Sequence, residues 1–363
     1  MAVDHRRHLP IAGAVRSAPA PTSTGAEQHL WMEETRFVRE ALGRGLRGGL
    51  HNGVMRLIDE HLPRALPARL HLYLSNACGQ ACTFCEQPIL WRSAGGRARQ
   101  ALVHVGQSLG ADVVSTGVFD ALLRVGGRRV APLHLEVTGN DWARHPRRDR
   151  LLARLAEEQL VRVTLSGPST ALADASLARR VAALPTLEGV VLTLQSPDPA
   201  RHDLCTGAPG SGARVLQALD HLCRLGVSTR VNTVLTARAV ETLPALLEAI
   251  SLRGLRSTLM TFVPDGRAGG AHAIPLHPRM SDVRQALEST SADALAAIER
   301  IEGLPPCAVP LALRNRLRMV WLTEHREPLA HGSRCDGCAS RGACGGVVTS
   351  YLRAHGDQAL HPT

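Results

Sequence analysis

The chain has 363 residues, with 42 arginines and no lysine against 32 acidic side chains, for a formal charge of +10; 44% of residues are hydrophobic and only 3% aromatic. That length suffices for one barrel-sized domain plus an appendage, whose core Leu, Val and Ala must fill. The absence of lysine excludes a pyridoxal phosphate Schiff base and a P-loop phosphate contact.

Residues 1–25 are rich in Pro, Ala, Ser and Thr and read as a disordered tail, and residues 26–67 as a helical segment. No apolar run approaches the roughly 18 residues that span a bilayer, and Ile11–Val15 is too short for a signal peptide. A cytoplasmic protein without membrane contact is the expectation. Short strands are predicted near 68–74, 132–138, 161–166, 189–195, 228–234 and 257–263, with helical stretches between most of them. Val215, Leu216, Leu219, Leu222 and Cys223 form one apolar stripe ending at Gly226, which makes Cys223 a core residue. Val240, Leu243, Leu246, Leu247 and Ile250 repeat the pattern before Gly254. Six such units, over residues 68–265, predict an α/β fold whose parallel sheet curls into a partial (β/α)6 TIM-type barrel. The active site of such a barrel gathers at the C-terminal ends of its strands.

Cys78-x3-Cys82-x2-Cys85 directly follows the first of these strands. Three thiolates are one fewer than an iron-sulfur cluster ordinarily takes, which leaves one iron open to something other than protein. Structural zinc or an accidental group of buried thiols is the alternative. The segment 95–130 is long for a single strand-to-helix connection, and Cys205 has no spaced partner. Gly207-Ala-Pro-Gly210-Ser-Gly212 leads into a helix, but without a following lysine it reads as a substrate-facing or structural loop. Residues 266–299 read as linker and helix. In the region 300–363, Cys307 and Cys335-x2-Cys338-x5-Cys344 supply four thiols, the complete ligand set of a [4Fe-4S] cluster or a zinc ion.

The segment Cys78-Gly-Gln-Ala-Cys82-Thr-Phe84-Cys85 resembles the signature of the radical S-adenosylmethionine (radical SAM) superfamily. The resemblance implies a catalytic [4Fe-4S] cluster on Cys78, Cys82 and Cys85 whose fourth iron is chelated by SAM, and a 5′-deoxyadenosyl radical that abstracts hydrogen from a substrate. Phe84 is the aromatic that precedes the third cysteine. Thr138-Gly139-Asn140-Asp141 resembles the family's Gly-Gly-Glu-Pro motif, with Asn140 where glutamate is expected and Asp141 where proline is. The contact to the SAM ammonium group then falls to the Asn140 carbonyl or the Asp141 carboxylate. Ser166, Gln195, Ser196 and Asn232 resemble positions that touch SAM's ribose or methionyl parts. The tail around Cys307, Cys335, Cys338, Cys344 and Tyr351 resembles SPASM and twitch extensions. Its cysteine count favours the twitch type, with a single auxiliary [4Fe-4S] cluster.

These likenesses imply an enzyme acting on a ribosomally made peptide, with a reductant such as flavodoxin or ferredoxin as partner and nucleic acid not expected. The arginine surplus suits an acidic leader peptide. A small-molecule substrate (carbohydrate, nucleoside or tetrapyrrole) and a non-catalytic iron-sulfur or zinc protein are the alternatives.

Overall fold

The computed structural model describes residues 15–22, 25–33, 68–75, 78–85, 133–139, 141–145, 147–159, 161–264, 270–317, 319–320 and 328–360. They fall into two compact units. The first comprises Met1–Gly79, Ala94–Val191 and Arg224–Ser228, and the second Gln80–Ser93, Leu192–Cys223 and Thr229–Thr363.

In the first unit, β1 (Val15–Thr22) pairs antiparallel with β2 (Gly25–Glu33). β2, β3 (Ala68–Ser75), β4 (Leu133–Gly139) and β5 (Val161–Gly167) then run parallel in chain order. Between β4 and β5 lies α1 (Arg148–Glu157), which buries Leu151, Leu152 and Leu155. After β5 comes α2 (Ala175–Ala182), capped by the Asp174 carboxylate accepting from Ser176 N at 2.7 Å. It leads to β6 (Leu187–Thr193), whose last two residues belong to the second unit. Val161, Val163, Leu165, Val181 and Val190 fill the core. Each fully buried aliphatic side chain contributes about 1.5–3 kcal/mol, and among the described residues Trp142 is the aromatic buried with them.

Two sequence expectations differ here. β1 lies within the expected disordered tail and β2 at the start of the expected helical segment. Among the described residues β1 pairs with β2 alone, and such an edge strand can seat Pro19 and Pro21, which lack an N–H. Residues 34–67 and 95–130 lie outside the described residues.

The second unit opens with the cysteine loop and continues with α3 (Pro199–Thr206) and α4 (Ser211–Arg224). Asp198 caps α3, accepting from Ala200 N at 2.9 Å with Pro199 as the first helical residue. The predicted stripe of α4 is observed: Val215, Leu219 and Leu222 are buried, and the chain leaves the helix through Gly226 at φ 68°. The half-buried Cys223 donates to Arg253 O at 3.8 Å. β7 (Thr229–Leu235), α5 (Ala237–Val240), α6 (Leu243–Ser251) and β8 (Arg256–Thr261) follow, with Leu243, Leu246, Leu247 and Ile250 buried.

The expected linker and helix at 266–299 holds two helices, α7 (Met280–Glu288) and α8 (Ala292–Ala296), and also the first residues of a strand, β9 (Ile298–Glu302). β9 runs parallel to β8 and, after α9 (Leu311–Arg316), to β10 (Met319–Val320). The tail ends in the antiparallel pair β11 (Leu329–Ala330) and β12 (Val347–Val348), followed by α10 (Thr349–His355). One apolar cluster binds these elements through Leu243, Leu259, Val283, Ile301, Val347 and Tyr351. Among the described residues no helix is long and apolar enough to cross a membrane.

Candidate functional site

Cys78 belongs to the first unit and is exposed, whereas Cys82 and Cys85 are half-buried in the second. Beside Cys78, the Arg144 guanidinium lies so close to Gly79 that a Cβ there would meet Nη1 at 2.5 Å. In the second unit the loop turns on itself through Cys85 N donating to Cys82 O at 3.3 Å. The Cys82 thiol donates to Gln80 Oε1 at 3.3 Å, and Phe84 packs against Phe262 and Ala273. Helix α3 holds the loop from outside: Ala81 N donates to Thr206 O at 2.8 Å and Thr83 N to Cys205 O at 3.0 Å.

Strand ends of the first unit supply a buried polar group. Gly139 ends β4, and Asn140 lies outside the described residues. Asp141 is only 2% exposed and caps a 3-10 turn at Trp142–Arg144 by accepting from Ala143 N at 3.2 Å. Burial pushes its carboxyl above the usual range, against the opposing pull of the Ala143 amide, Arg144, Arg148 and the Ser169 amide. Ser166 is buried in β5. Just beyond β5, Ser169 adopts a left-handed conformation at φ 38°, and its fully buried hydroxyl has no partner. A non-glycine residue held there marks stored strain, a signal that no sequence pattern announces.

In the second unit the expected SAM contacts are unequal. With its amide O and N exchanged so that both find partners, Gln195 lies on the Val234 peptide, donating to its O at 2.8 Å and accepting from its N at 3.3 Å. Ser196 Oγ accepts from Asp198 N and from Thr242 Oγ1, both at 3.2 Å. These groups are engaged by the fold itself. Asn232 differs, because its Oδ1 is buried without a partner on β7. Such an orphaned acceptor fits a polar ligand that donates to it.

The Gly207–Gly212 loop does cradle an anion, but the anion is the chain's own. Asp203 accepts from Gly212 N at 2.7 Å, Ser211 Oγ at 2.9 Å and Gly210 N. Partial burial raises the Asp203 carboxyl, yet the Gly212 and Gly210 amides and the Ser211 hydroxyl outweigh it and hold the group below its ordinary value. Cys205 is buried, and desolvation pushes its thiol up.

In the tail, Cys307, Cys335, Cys338 and Cys344 line one cavity of about 390 Å³ counted out to open solvent, together with His331 and Arg341. Burial raises the Cys344 thiol first, the Gly346 amide opposes this, and the other three cysteines raise it further. Gly346 N donates to Cys344 Sγ at 3.3 Å, and His331 Nε2 lies 3.1 Å from Cys344 O. Upstream of Cys335, Asp357 accepts from Ser333 Oγ at 2.8 Å and Arg334 N at 2.9 Å. Tyr351 is fully buried beneath, its hydroxyl accepting from Met280 N at 3.2 Å. None of the nine cysteines forms a disulfide. Among the described residues no three His, Cys, Asp or Glu side chains converge on a single metal ion.

No protein-family model matches the chain, and no curated protein matches it. Among solved structures, Streptococcus suis SuiB bound to S-adenosylmethionine aligns over 76% of this chain and 52% of its own, at 17% identity and a TM-score of 0.44. Native anSMEcpe with bound AdoMet aligns over 61% and 59%, at 14% identity and a TM-score of 0.45. TYW1 with a lysine-pyruvate adduct bound aligns over 59% and 70%, at 13% identity and a TM-score of 0.34. The chain thus spans about half the length of SuiB and under three-fifths of anSMEcpe.

Proposed function

We propose that the chain is a radical SAM enzyme with a partial (β/α)6 barrel core and a twitch-like tail. One observation carries the reading: Cys78, Cys82 and Cys85 follow directly on the C-terminal end of β3, the end at which a parallel α/β barrel presents its catalytic loops. In this reading Cys78, Cys82 and Cys85 hold a [4Fe-4S] cluster, and Cys307, Cys335, Cys338 and Cys344 hold a second. When bound, the first cluster and SAM supply reductive cleavage of SAM to a 5′-deoxyadenosyl radical. The protein's own part is to bind, orient and exclude water. Asp141, buried with its carboxyl raised, is suited to receive the SAM ammonium group, because a cation beside it relieves the cost of its burial. Asn232 Oδ1 is suited to accept from a ligand hydroxyl or amine.

The tail thiols support a second cluster because four of them line one cavity and the catalytic set needs none. For the substrate we propose a peptide with an acidic segment, supported by the all-arginine charge of +10. The test is anaerobic incubation with SAM and dithionite. The intact chain should form 5′-deoxyadenosine and a variant with Cys78, Cys82 and Cys85 all changed to Ala should form none; equal product from both would sink the reading.

A further inference from the structure

We propose that the last turn of α3 is a clamp that positions the cysteine loop, set by Asp203 and Gly207, and that it keeps the cluster held by that loop strongly reducing. The proposal rests on reading Cys78, Cys82 and Cys85 as a cluster site. The last carbonyls of a helix have no partner within it. In α3 two of them are taken by the amides on either side of Cys82: Thr206 O accepts from Ala81 N, and Cys205 O from Thr83 N and, at 3.3 Å, from Thr83 Oγ1. Hydrogen bonds to cluster sulfurs are among the levers that set its potential, and N–H donors there stabilise the reduced, more negative form. Directing Ala81 N and Thr83 N to oxygen removes two such donors.

Gly207 is required twice over. It leaves α3 in the left-handed conformation at φ 59°, and a Cβ there would stand 3.1 Å from Ala81 O and 3.2 Å from Ala81 Cβ. Asp203 fixes the same turn from the other side. Its carboxylate gathers Gly210 N, Ser211 Oγ and Gly212 N, and Ser211 Oγ meets Thr206 Oγ1 at 2.8 Å. At the far end of α3, Gly212 lies so close to Pro199 that a Cβ would fall 2.6 Å from its Cα. The glycine-rich loop therefore anchors α3, and α3 anchors the cysteine loop.

The test uses the full chain, reconstituted anaerobically with iron and sulfide. Iron content, the electron paramagnetic resonance spectrum of the reduced clusters and their midpoint potentials are read for six proteins: wild type, Gly207→Ala, Asp203→Ala, Asp203→Asn, Gly226→Ala and the variant with Cys78, Cys82 and Cys85 all changed to Ala. Gly207→Ala should either raise the midpoint of the loop cluster and change its spectrum, or lose that cluster alone. Asp203→Ala should do the same, and Asp203→Asn, which keeps the acceptor oxygen, should restore most of the wild-type signal. Gly226→Ala imposes similar backbone strain at φ 68° with nothing within 4 Å of its Cβ, and should match wild type. A full complement of iron with unchanged potential and spectrum in Gly207→Ala overturns the clamp, as does an equal shift in Gly226→Ala. If changing all three loop cysteines to Ala alters neither iron content nor spectrum, the cluster assignment itself fails; if that variant loses its signal while Gly207→Ala stays normal, only the clamp fails.

Discussion

At Asp141 one carboxylate serves two ends. It caps the 3-10 turn after β4, and its burial leaves a negative charge that the neighbouring amides and arginines only partly compensate. Replacement by Asn keeps an acceptor for Ala143 N and removes the charge, so the apoprotein should unfold at the same temperature or higher. A charge-assisted contact is worth about 1.5–3 kcal/mol, so SAM affinity should fall about tenfold or more in the same variant. Calorimetric titration of both proteins decides it: unchanged affinity removes Asp141 from the SAM site. His202 makes a second residue-level case. Its Nδ1 accepts from Gln195 N at 3.2 Å, its Nε2 is buried without a partner, and burial lowers the imidazole to about 4 even though Asp203 pulls it upward. The unfolded chain takes up this proton near pH 6.5 and the folded chain only near 4, so stability is whole above 6.5 and falls as pH drops through that window. The full loss is about 3 kcal/mol. Urea denaturation at pH 7, 6, 5 and 4.5 should show the slope, and His202→Asn, which retains an acceptor for Gln195 N, should flatten it; an equal slope in the variant assigns the loss elsewhere.

Elements with a strong internal period were legible in the sequence, and those without one were not. β3 through β8 lie within about two residues of their predicted positions, and most of the stripes of α4 and α6 are buried, Leu216 and Cys223 only in part, because burial imposes periods of 2 and 3.6. β10, β11 and β12 have two residues each, too few to show a period. β9, Ile-Glu-Arg-Ile-Glu, straddles the expected boundary between the linker and helix at 266–299 and the tail, yet Ile298 and Ile301 are buried and the chain pairs with β8. The tail depends on one position of this unperiodic kind. Gly346 takes φ 87°, a Cβ there would fall 2.4 Å from Ala330 O, and its amide reaches Cys344 Sγ. Gly346→Ala should cost more than the roughly 1–2 kcal/mol of left-handed strain, since β11 must also move. Thermal unfolding and iron analysis should show a less stable protein that has lost the tail's metal but kept the loop's; wild-type stability with full iron would contradict this placement.

For the molecule as a whole, the cysteine pattern was legible in the sequence and the groups that surround it in the structure were not. Spacing along the chain separates the loop set from the tail set, because ligands of one cluster tend to cluster in sequence. The support given to Ala81 and Thr83 by α3, about 120 residues away, leaves no mark in spacing. Neither does the strain at Ser169, nor the use of Gln195 and Ser196 by the fold. Two separate sets predict a definite inventory: about eight irons in the reconstituted chain and about four after Cys307, Cys335, Cys338 and Cys344 are changed to Ala. A cluster ligated by four protein thiols offers no open iron. Its loss should therefore leave 5′-deoxyadenosine formation in place while abolishing conversion of the peptide, since the tail then loses both its metal and the structure that ligation holds. Zinc in the tail, or about four irons in the intact chain, would refute the second cluster and leave the assignment of Cys78, Cys82 and Cys85 standing. Loss of 5′-deoxyadenosine with the tail cysteines would instead mean that the two sets act as one unit.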